Sequence, residues 1–331
     1  MAPMTRSRSS VSAVPSPLAA EYYASRADAG LLITEGTGPS PMGMGYARTP
    51  GIYNAEQIAA WKGVTDAVHA AGGRIFLQIM HVGRIAHRAN RTIPDAPVAP
   101  SAIAAAAQMW TDSQGMQPND TPRALELSEI PGVIEEFAEA TRNALAAGFD
   151  GVELHAASGY LPMQFLNTGS NQRTDAYGGS LENRIRFVVE TLEAMGKAAG
   201  DFGRVGIKVS PGMKFNDIQD EDPIATHLAL AEAIAGMKLA YLHVMRTGIG
   251  AETALRAAYP GNLLLGGGFV KAEANAALEA GRADAIVFGS SYLANPDLVT
   301  RLRTDAALNP PDQATFYTPG ARGYTDYPIL P

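Results

Sequence analysis

The chain has 331 residues, 46% hydrophobic and 18% charged, which is enough apolar material for a large core in one domain or two. A formal charge of −7 leaves no basic footprint and argues against nucleic acid or an anionic membrane as partner. The absence of cysteine excludes disulfides, thiolate chemistry and Cys-ligated metals, and no apolar run approaches the roughly 18 residues of a spanning helix. The opening segment, Met1 to Arg8, lacks the apolar stretch of a signal peptide, so a cytoplasmic protein is expected.

In chain order, a strand fragment at Met1 to Thr5 precedes a strand at Leu31 to Thr34, a helix at 55–71 and a strand at Arg74 to Met80. A helix at 129–147 then leads to a strand at Asp150 to His155, a helix at 181–199 to one at Arg204 to Val209, and a helix at 224–236 to one at Leu239 to Met245. A weaker helix at 251–258, a strand at Asn262 to Leu265, a helix at 271–280, a strand at Asp284 to Phe288 and a helix at 296–304 complete the pattern. Ala29-Gly30, Ala71-Gly72, Ala147-Gly148 and Ala280-Gly281 each precede a strand, where a left-handed glycine closes a helix before the chain enters a sheet. Runs such as Val205 to Val209 and Ala285 to Phe288 are apolar almost throughout, as in parallel strands covered on both faces.

Seven strands plus the initial fragment predict an α/β fold, a (β/α)₈ TIM barrel spanning 1–331 as a single domain with an incomplete first strand. An open doubly wound sheet is the alternative, but no Gly-x-Gly-x-x-Gly opens an early helix. In a barrel the C-terminal strand ends converge on the active-site face, and polar residues collect at those ends in this chain. They are Glu35 and Gly36, Gln78 and His81, His155, Lys208 and Ser210, His243 and Arg246, Gly266 to Gly268, and Gly289 with Ser290.

His155, Ser158 and Tyr160 follow the apolar run Asp150 to Leu154, placing an imidazole, a hydroxyl and a phenol at one strand mouth. Such a trio suits holding a polarised substrate and giving it a proton, although a lone histidine of this kind is as often a core residue. The segment 82–127, containing Trp110, Pro118 and Arg123, is long and irregular and predicts a lid over the mouth. Gly266 to Gly268 and Gly289-Ser290 follow the last two strands, where barrels often bind phosphate through backbone N–H groups. FMN meets that requirement, as would a phosphorylated substrate. His69 and His227 fall in or near helices and predict surface roles, while His81 and His87 are candidates to touch the lid. No tight His/Asp/Glu grouping suggests a metal.

Several segments together resemble the old yellow enzyme family of FMN-dependent ene-reductases. They are Met1 to Arg8, Ala20 to Ala24, Gly51 to Tyr53, Gln78 to Arg84, Asn171 to Arg184, Ala294 to Leu298 and Gly323 to Pro328, and the stretch Asn171 to Arg184 is the most distinctive. The resemblance implies an NAD(P)H-dependent flavin oxidoreductase that reduces activated C=C bonds in enones, enals and nitroalkenes, with FMN as cofactor and NAD(P)H as co-substrate. It places Pro3, Met4 and Thr5 beside the flavin ring, Gly36 and Gln78 at its pyrimidine side, Lys208 near the N1/O2 edge, and Gly267, Gly268 and Gly289 near the phosphate. His155, with Ser158, would anchor the substrate oxygen, and Tyr160 would protonate the α-carbon after hydride arrives from flavin N5. A phenol of pKa about 10 is protonated at neutral pH, as a donor must be. Tyr46, Arg123 and Tyr317 match positions lining the substrate pocket.

The chain departs from the family pattern in five places. Met80 stands where tryptophan is common, Ser158 replaces the Asn or His of the anchor pair, and Lys208 replaces an arginine and loses its bidentate fork. Ser290 occupies the place of a phosphate-binding arginine, for which Arg246 is the candidate substitute. The start is shorter than usual, which predicts a thin barrel seam beside the flavin. These changes keep two other readings open: a non-reductive isomerase or cyclase on the same scaffold, and a flavin-free ligand-binding barrel. The natural substrate, the choice of NADH or NADPH, and whether the protein is a monomer or dimer are not encoded in any motif.

Overall fold

The alternation of short apolar runs with amphipathic stretches builds successive strand–helix units in the computed structural model, which describes residues 1–331. The first half comprises α1 (Ala19–Ala24), β1 (Leu32–Ile33), α2 (Ala55–Ala70), β2 (Ile75–Ile79), β3 (Val98–Ala99), β4 (Gln108–Thr111), β5 (Gly115–Pro118), β6 (Arg123–Ala124), α3 (Ile130–Ala146), β7 (Gly151–Ala156) and α4 (Leu161–Leu166). The second comprises α5 (Leu181–Ala199), β8 (Val205–Val209), α6 (Pro223–Ile234), β9 (Tyr241–Met245), α7 (Ala251–Ala258), β10 (Leu263–Gly266), α8 (Lys271–Glu279), β11 (Ala285–Val287), α9 (Ser290–Ala294) and α10 (Leu298–Thr304).

Seven strands form one parallel sheet in the order β1-β2-β7-β8-β9-β10-β11, a curled α/β arrangement in which each neighbour follows the last along the chain. Both edges meet the same short segment. Ala2 N donates to Phe288 O at 2.8 Å, and Ile33 N donates to Met1 O at 3.2 Å. Met1 and Ala2 therefore connect the first and last strands of the sheet.

The sheet's concave side is filled in layers because inward side chains recur at every second residue. Ile33, Phe76, Tyr241, Leu264 and Val287 form an apolar floor, with Phe76 and Tyr241 stacked at 5.8 Å. Two glycines make room for these rings. A Cβ on Gly206 would lie 2.4 Å from the Tyr241 ring, and one on Gly151 would lie 2.4 Å from Phe76. The larger apolar core lies between sheet and helices, where Leu77, Leu154 and Ile207 meet α3 and α5 through Phe137, Val188 and Leu192.

Of the four Ala-Gly junctions, Gly72, Gly148 and Gly281 adopt the left-handed conformation expected of helix ends, with φ of 81°, 90° and 65°. Gly30 does not, since no full helix precedes it: α1 has already ended at Ala24. The segment 82–127 is less irregular than its composition suggested. It contains the antiparallel hairpin β4–β5 and the parallel pair β3–β6. The short helices α1, α4 and α9 also escaped periodicity, which needs several turns to show itself. No helix is long and apolar enough to cross a membrane.

Candidate active site

Polar residues begin one layer above the apolar floor. Gln78 on β2 pairs in register with Glu153 on β7, and Lys208 on β8 pairs with both His155 on β7 and His243 on β9. Glu153 is wholly buried, with Gln78 Nε2 donating to its Oε1 at 2.7 Å and His243 Nδ1 lying 2.9 Å from its Oε2. A carboxylate can only accept, so the proton at that contact is on Nδ1 of His243. Burial pushes the Glu153 carboxyl up, but His243, Lys208 and Gln78 together outweigh it and hold the group below the usual carboxylate range. Burial also lowers the Lys208 ammonium, with Glu153 opposing the shift.

No motif had singled out Glu153. Its signal lay in the strand itself: a carboxylate two residues before His155 shares that residue's inward face.

At the strand mouth a cavity of about 1490 Å³ opens, lined by groups from nearly every strand end. That exceeds the 300–1,000 Å³ of a typical small-molecule pocket. Pro3, Met4, Thr5, Gln78, Met80, His155, Ser158, Tyr160, Lys208, Tyr46 and Tyr317 all reach its wall, as do Gly267, Gly268, Gly289 and Ser290.

His155 and Tyr160 meet edge to face, ring centres 4.8 Å apart. Burial, reinforced by Lys208 and His243, holds the His155 imidazole well below its ordinary pKa, so the ring is neutral. Its buried Nδ1 has no partner within the protein. Burial, with Tyr46 adding to it, raises the Tyr160 phenol well above the usual value, so it keeps its proton. Its hydroxyl donates to Tyr46 Oη at 3.3 Å. Ser158 adopts a left-handed conformation, φ 57°, with its N–H donating to Ser210 Oγ at 2.9 Å. Asn216, on the loop after β8, donates from Nδ2 to Ser158 O at 2.8 Å and to Tyr46 Oη at 3.5 Å. It was not anticipated, because it belongs to no strand end.

Three expected site residues lie elsewhere. Arg123 is outside the cavity wall and forks onto Glu129 at 2.7 and 2.8 Å, so its guanidinium is used in a surface ion pair at the start of α3. Gly36 lies against Met80, whose sulfur would be 2.5 Å from a Cβ there, and does not reach the wall. Arg246 sits behind the glycine loop. Its guanidinium stacks on Phe269 at 3.6 Å, donates to Gly267 O at 2.9 Å and faces Glu273 at 3.6 Å.

The hairpin contributes Gln108, Met109, Trp110, Asp112 and Met116 to the cavity rim. Arg48 fastens it, pairing with Asp112 and donating to Tyr317 O at 2.9 Å. Of the histidines assigned to surfaces, His69 does pair with Asp150 at 3.0 Å, but His227 is buried and bonded to Pro223 O at 2.7 Å. The buried His81 ring accepts from Gly83 N at 3.1 Å, and burial lowers its pKa to about 3.

Comparison with known proteins places this geometry. The profile of the NADH:flavin oxidoreductase / NADH oxidase family matches residues 1–309. A probable flavin mononucleotide-dependent alkene reductase of Leishmania infantum is 45% identical over 100% of this chain and 93% of its own length. The 12-oxophytodienoate reductase 7 of Oryza sativa subsp. japonica is 43% identical, over 100% of this chain and 90% of its own. Among solved structures, morphinone reductase in complex with tetrahydroNAD superposes with a TM-score of 0.96 at 45% identity, covering 100% of this chain and 93% of that one. The old yellow enzyme homologue from Zymomonas mobilis gives 0.96 at 39%, covering 100% and 95%. The chain belongs to the NADH:flavin oxidoreductase / NADH oxidase family, the family of old yellow enzyme.

Proposed function

We propose that the protein is an FMN-dependent ene-reductase that uses NAD(P)H to reduce carbon–carbon double bonds activated by a carbonyl or nitro group. The observation that carries this reading is the pairing, on one cavity wall, of a neutral imidazole and a phenol held in its protonated form, their rings 4.8 Å apart. One group suits an electron-rich oxygen and the other supplies a proton.

The residues present fit FMN. Gly267 and Gly268 take φ of 108° and 75°, and a Cβ on Gly268 would meet no protein atom within 4 Å, so backbone there is open to an anion. Gly289 and Ser290 complete that end, with Arg246 adding positive charge from behind the loop. Pro3, Met4, Thr5, Gln78 and Lys208 would surround the ring, with Lys208 offering a cation to its pyrimidine edge and Gly36 acting only from behind Met80. Bound FMN supplies transfer of two electrons as hydride from NAD(P)H to the alkene.

His155, assisted by Ser158, holds the substrate's oxygen and stabilises charge that builds there. Tyr160 gives its proton to the α-carbon. Met80, Tyr46 and Tyr317 shape the pocket, and the hairpin within 82–127 acts as a cap that excludes water. Residues 1–331 act as one barrel domain, with the segment from Met1 serving as its short first stave. Arg123 is left out of the substrate pocket.

The test is direct. Purified protein should absorb in the flavin region, or do so after uptake of added FMN, and should consume NAD(P)H with a cyclic enone. A protein that takes up no FMN would sink the reading.

A further inference from the structure

We infer that Asn216 is a positioning residue that turns the Tyr46 hydroxyl into a donor for Tyr160 at the moment Tyr160 gives up its proton. The inference rests on Tyr160 being the proton donor, as proposed above. Three contacts carry it: Asn216 Nδ2 to Ser158 O at 2.8 Å, Asn216 Nδ2 to Tyr46 Oη at 3.5 Å, and Tyr46 Oη to Tyr160 Oη at 3.3 Å.

The Ser158 carbonyl only accepts, which fixes the amide of Asn216 with its nitrogen toward Ser158 and Tyr46. The side chain is buried, and its backbone sits at φ 61°, a conformation that asparagine tolerates better than most residues. At rest Tyr160 donates to Tyr46. During reaction the Tyr160 O–H bond breaks as a C–H bond forms at the α-carbon, leaving a phenolate that can only accept. The hydroxyl bonded to it is that of Tyr46, so that contact reverses, with the Asn216 amide also close enough to lower the cost of charge on the Tyr160 oxygen. An amide N–H pointed at the Tyr46 oxygen favours this, because it occupies that oxygen's lone pair and polarises its O–H toward the phenolate. Water from the cavity mouth then restores the proton to Tyr160.

Burial makes this assistance matter. A phenolate in a buried wall is costly, and the hydrogen bond it receives from Tyr46 offsets part of that cost.

The experiment separates hydride transfer from protonation. β-Methyl-β-nitrostyrene is the probe, since hydride addition gives a nitronate that survives in water and whose protonation creates a stereocentre. In FMN-loaded wild type, protonation on the protein gives one predominant product stereoisomer. Asn216→Asp keeps size and shape but presents oxygens that draw the Tyr46 hydrogen away. It should slow nitronate protonation at least tenfold relative to flavin re-oxidation in the same traces, releasing nitronate that becomes racemic product.

Tyr46→Phe removes the relaying hydroxyl and should show the same split, which keeps the test alive if the aspartate variant fails to fold. Wild-type protonation and stereochemistry in both variants, with Tyr160→Phe defective, would overturn the role of Asn216 and leave Tyr160 as donor. Wild-type behaviour in Tyr160→Phe would overturn the donor assignment itself.

Discussion

Around His155 and Tyr160 the cavity wall consists of buried side chains bonded to one another, whereas around Gly267, Gly268 and Gly289 it is backbone, and the nearest arginine faces the back of the loop. The two ends solve different problems. In the roles proposed for them, Tyr160 as proton donor and His155 as oxygen anchor must each keep one protonation state, and burial favours that by penalising charge on both. A phosphate brings fixed charge and needs only N–H groups that can approach it, which glycine at positive φ permits. Substitutions at the first end should therefore alter chemistry with little effect on flavin affinity, and those at the second should do the reverse.

The largest effect is expected from Tyr160→Phe. Loss of a positioned acid costs about 10²- to 10³-fold in the protonation step, while FMN affinity measured by fluorescence quenching stays within about twofold. A parallel loss of FMN affinity would break the distinction between the two ends.

Glu153→Gln tests the layer beneath. It leaves the buried Lys208 ammonium without its counter-charge, at a cost of about 3 kcal/mol in chemical denaturation. The pH dependence has a definite sign. Glu153 has a folded pKa below its ordinary value, so its stabilising contribution is present above the carboxylate range and is lost as pH falls through the folded value. Lys208 has a lowered folded pKa, so its burial destabilises at neutral pH and that penalty is relieved as pH rises through the folded value. The gap between variant and wild type should thus be widest near neutrality and close at both extremes. A pH-independent gap would mean that packing, not charge, explains Glu153.

The two ends also differed in how far they could be read from sequence. His155, Ser158 and Tyr160 stood out because a polar trio directly after an apolar strand has few structural explanations, and the sheet places all three on the cavity wall. The strand pattern was equally plain, since doubly covered parallel strands are apolar nearly throughout. Glu153 was passed over although its place two residues before His155 puts both on one face; its partners Gln78 and His243 become visible only once β2, β7 and β9 are aligned. Asn216 was hidden more deeply. It lies 56 residues beyond Tyr160 in the chain, and only the folded loop after β8 brings its amide beneath Ser158. The hairpin over the mouth was missed for another reason: in β5 burial alternates, but the half-buried positions are Gly115 and Gln117 and the exposed ones Met116 and Pro118, so hydrophobicity does not follow it.

At the phosphate end, two substitutions weigh backbone against cation. Gly267→Ala forces a β-carbon into a φ of 108° and to within 3.0 Å of Arg246 O, so the loop must shift and its N–H groups lose their aim. FMN affinity should fall about tenfold, equivalent to about 1.4 kcal/mol.

Arg246→Ala should cost less, about threefold, because the guanidinium lies behind the loop and is partly neutralised by Glu273 at 3.6 Å. Its contribution is a field rather than a contact, so the loss should shrink as salt is raised, while the Gly267 effect should not. The outcome decides whether Arg246 stands in for the arginine that the family resemblance leads one to expect at Ser290. If Arg246→Ala weakens FMN as much as Gly267→Ala and the loss persists at high salt, the guanidinium must leave Phe269 and bind the phosphate directly. A small, salt-sensitive loss means that backbone N–H groups, and not a direct cation contact, hold the anion.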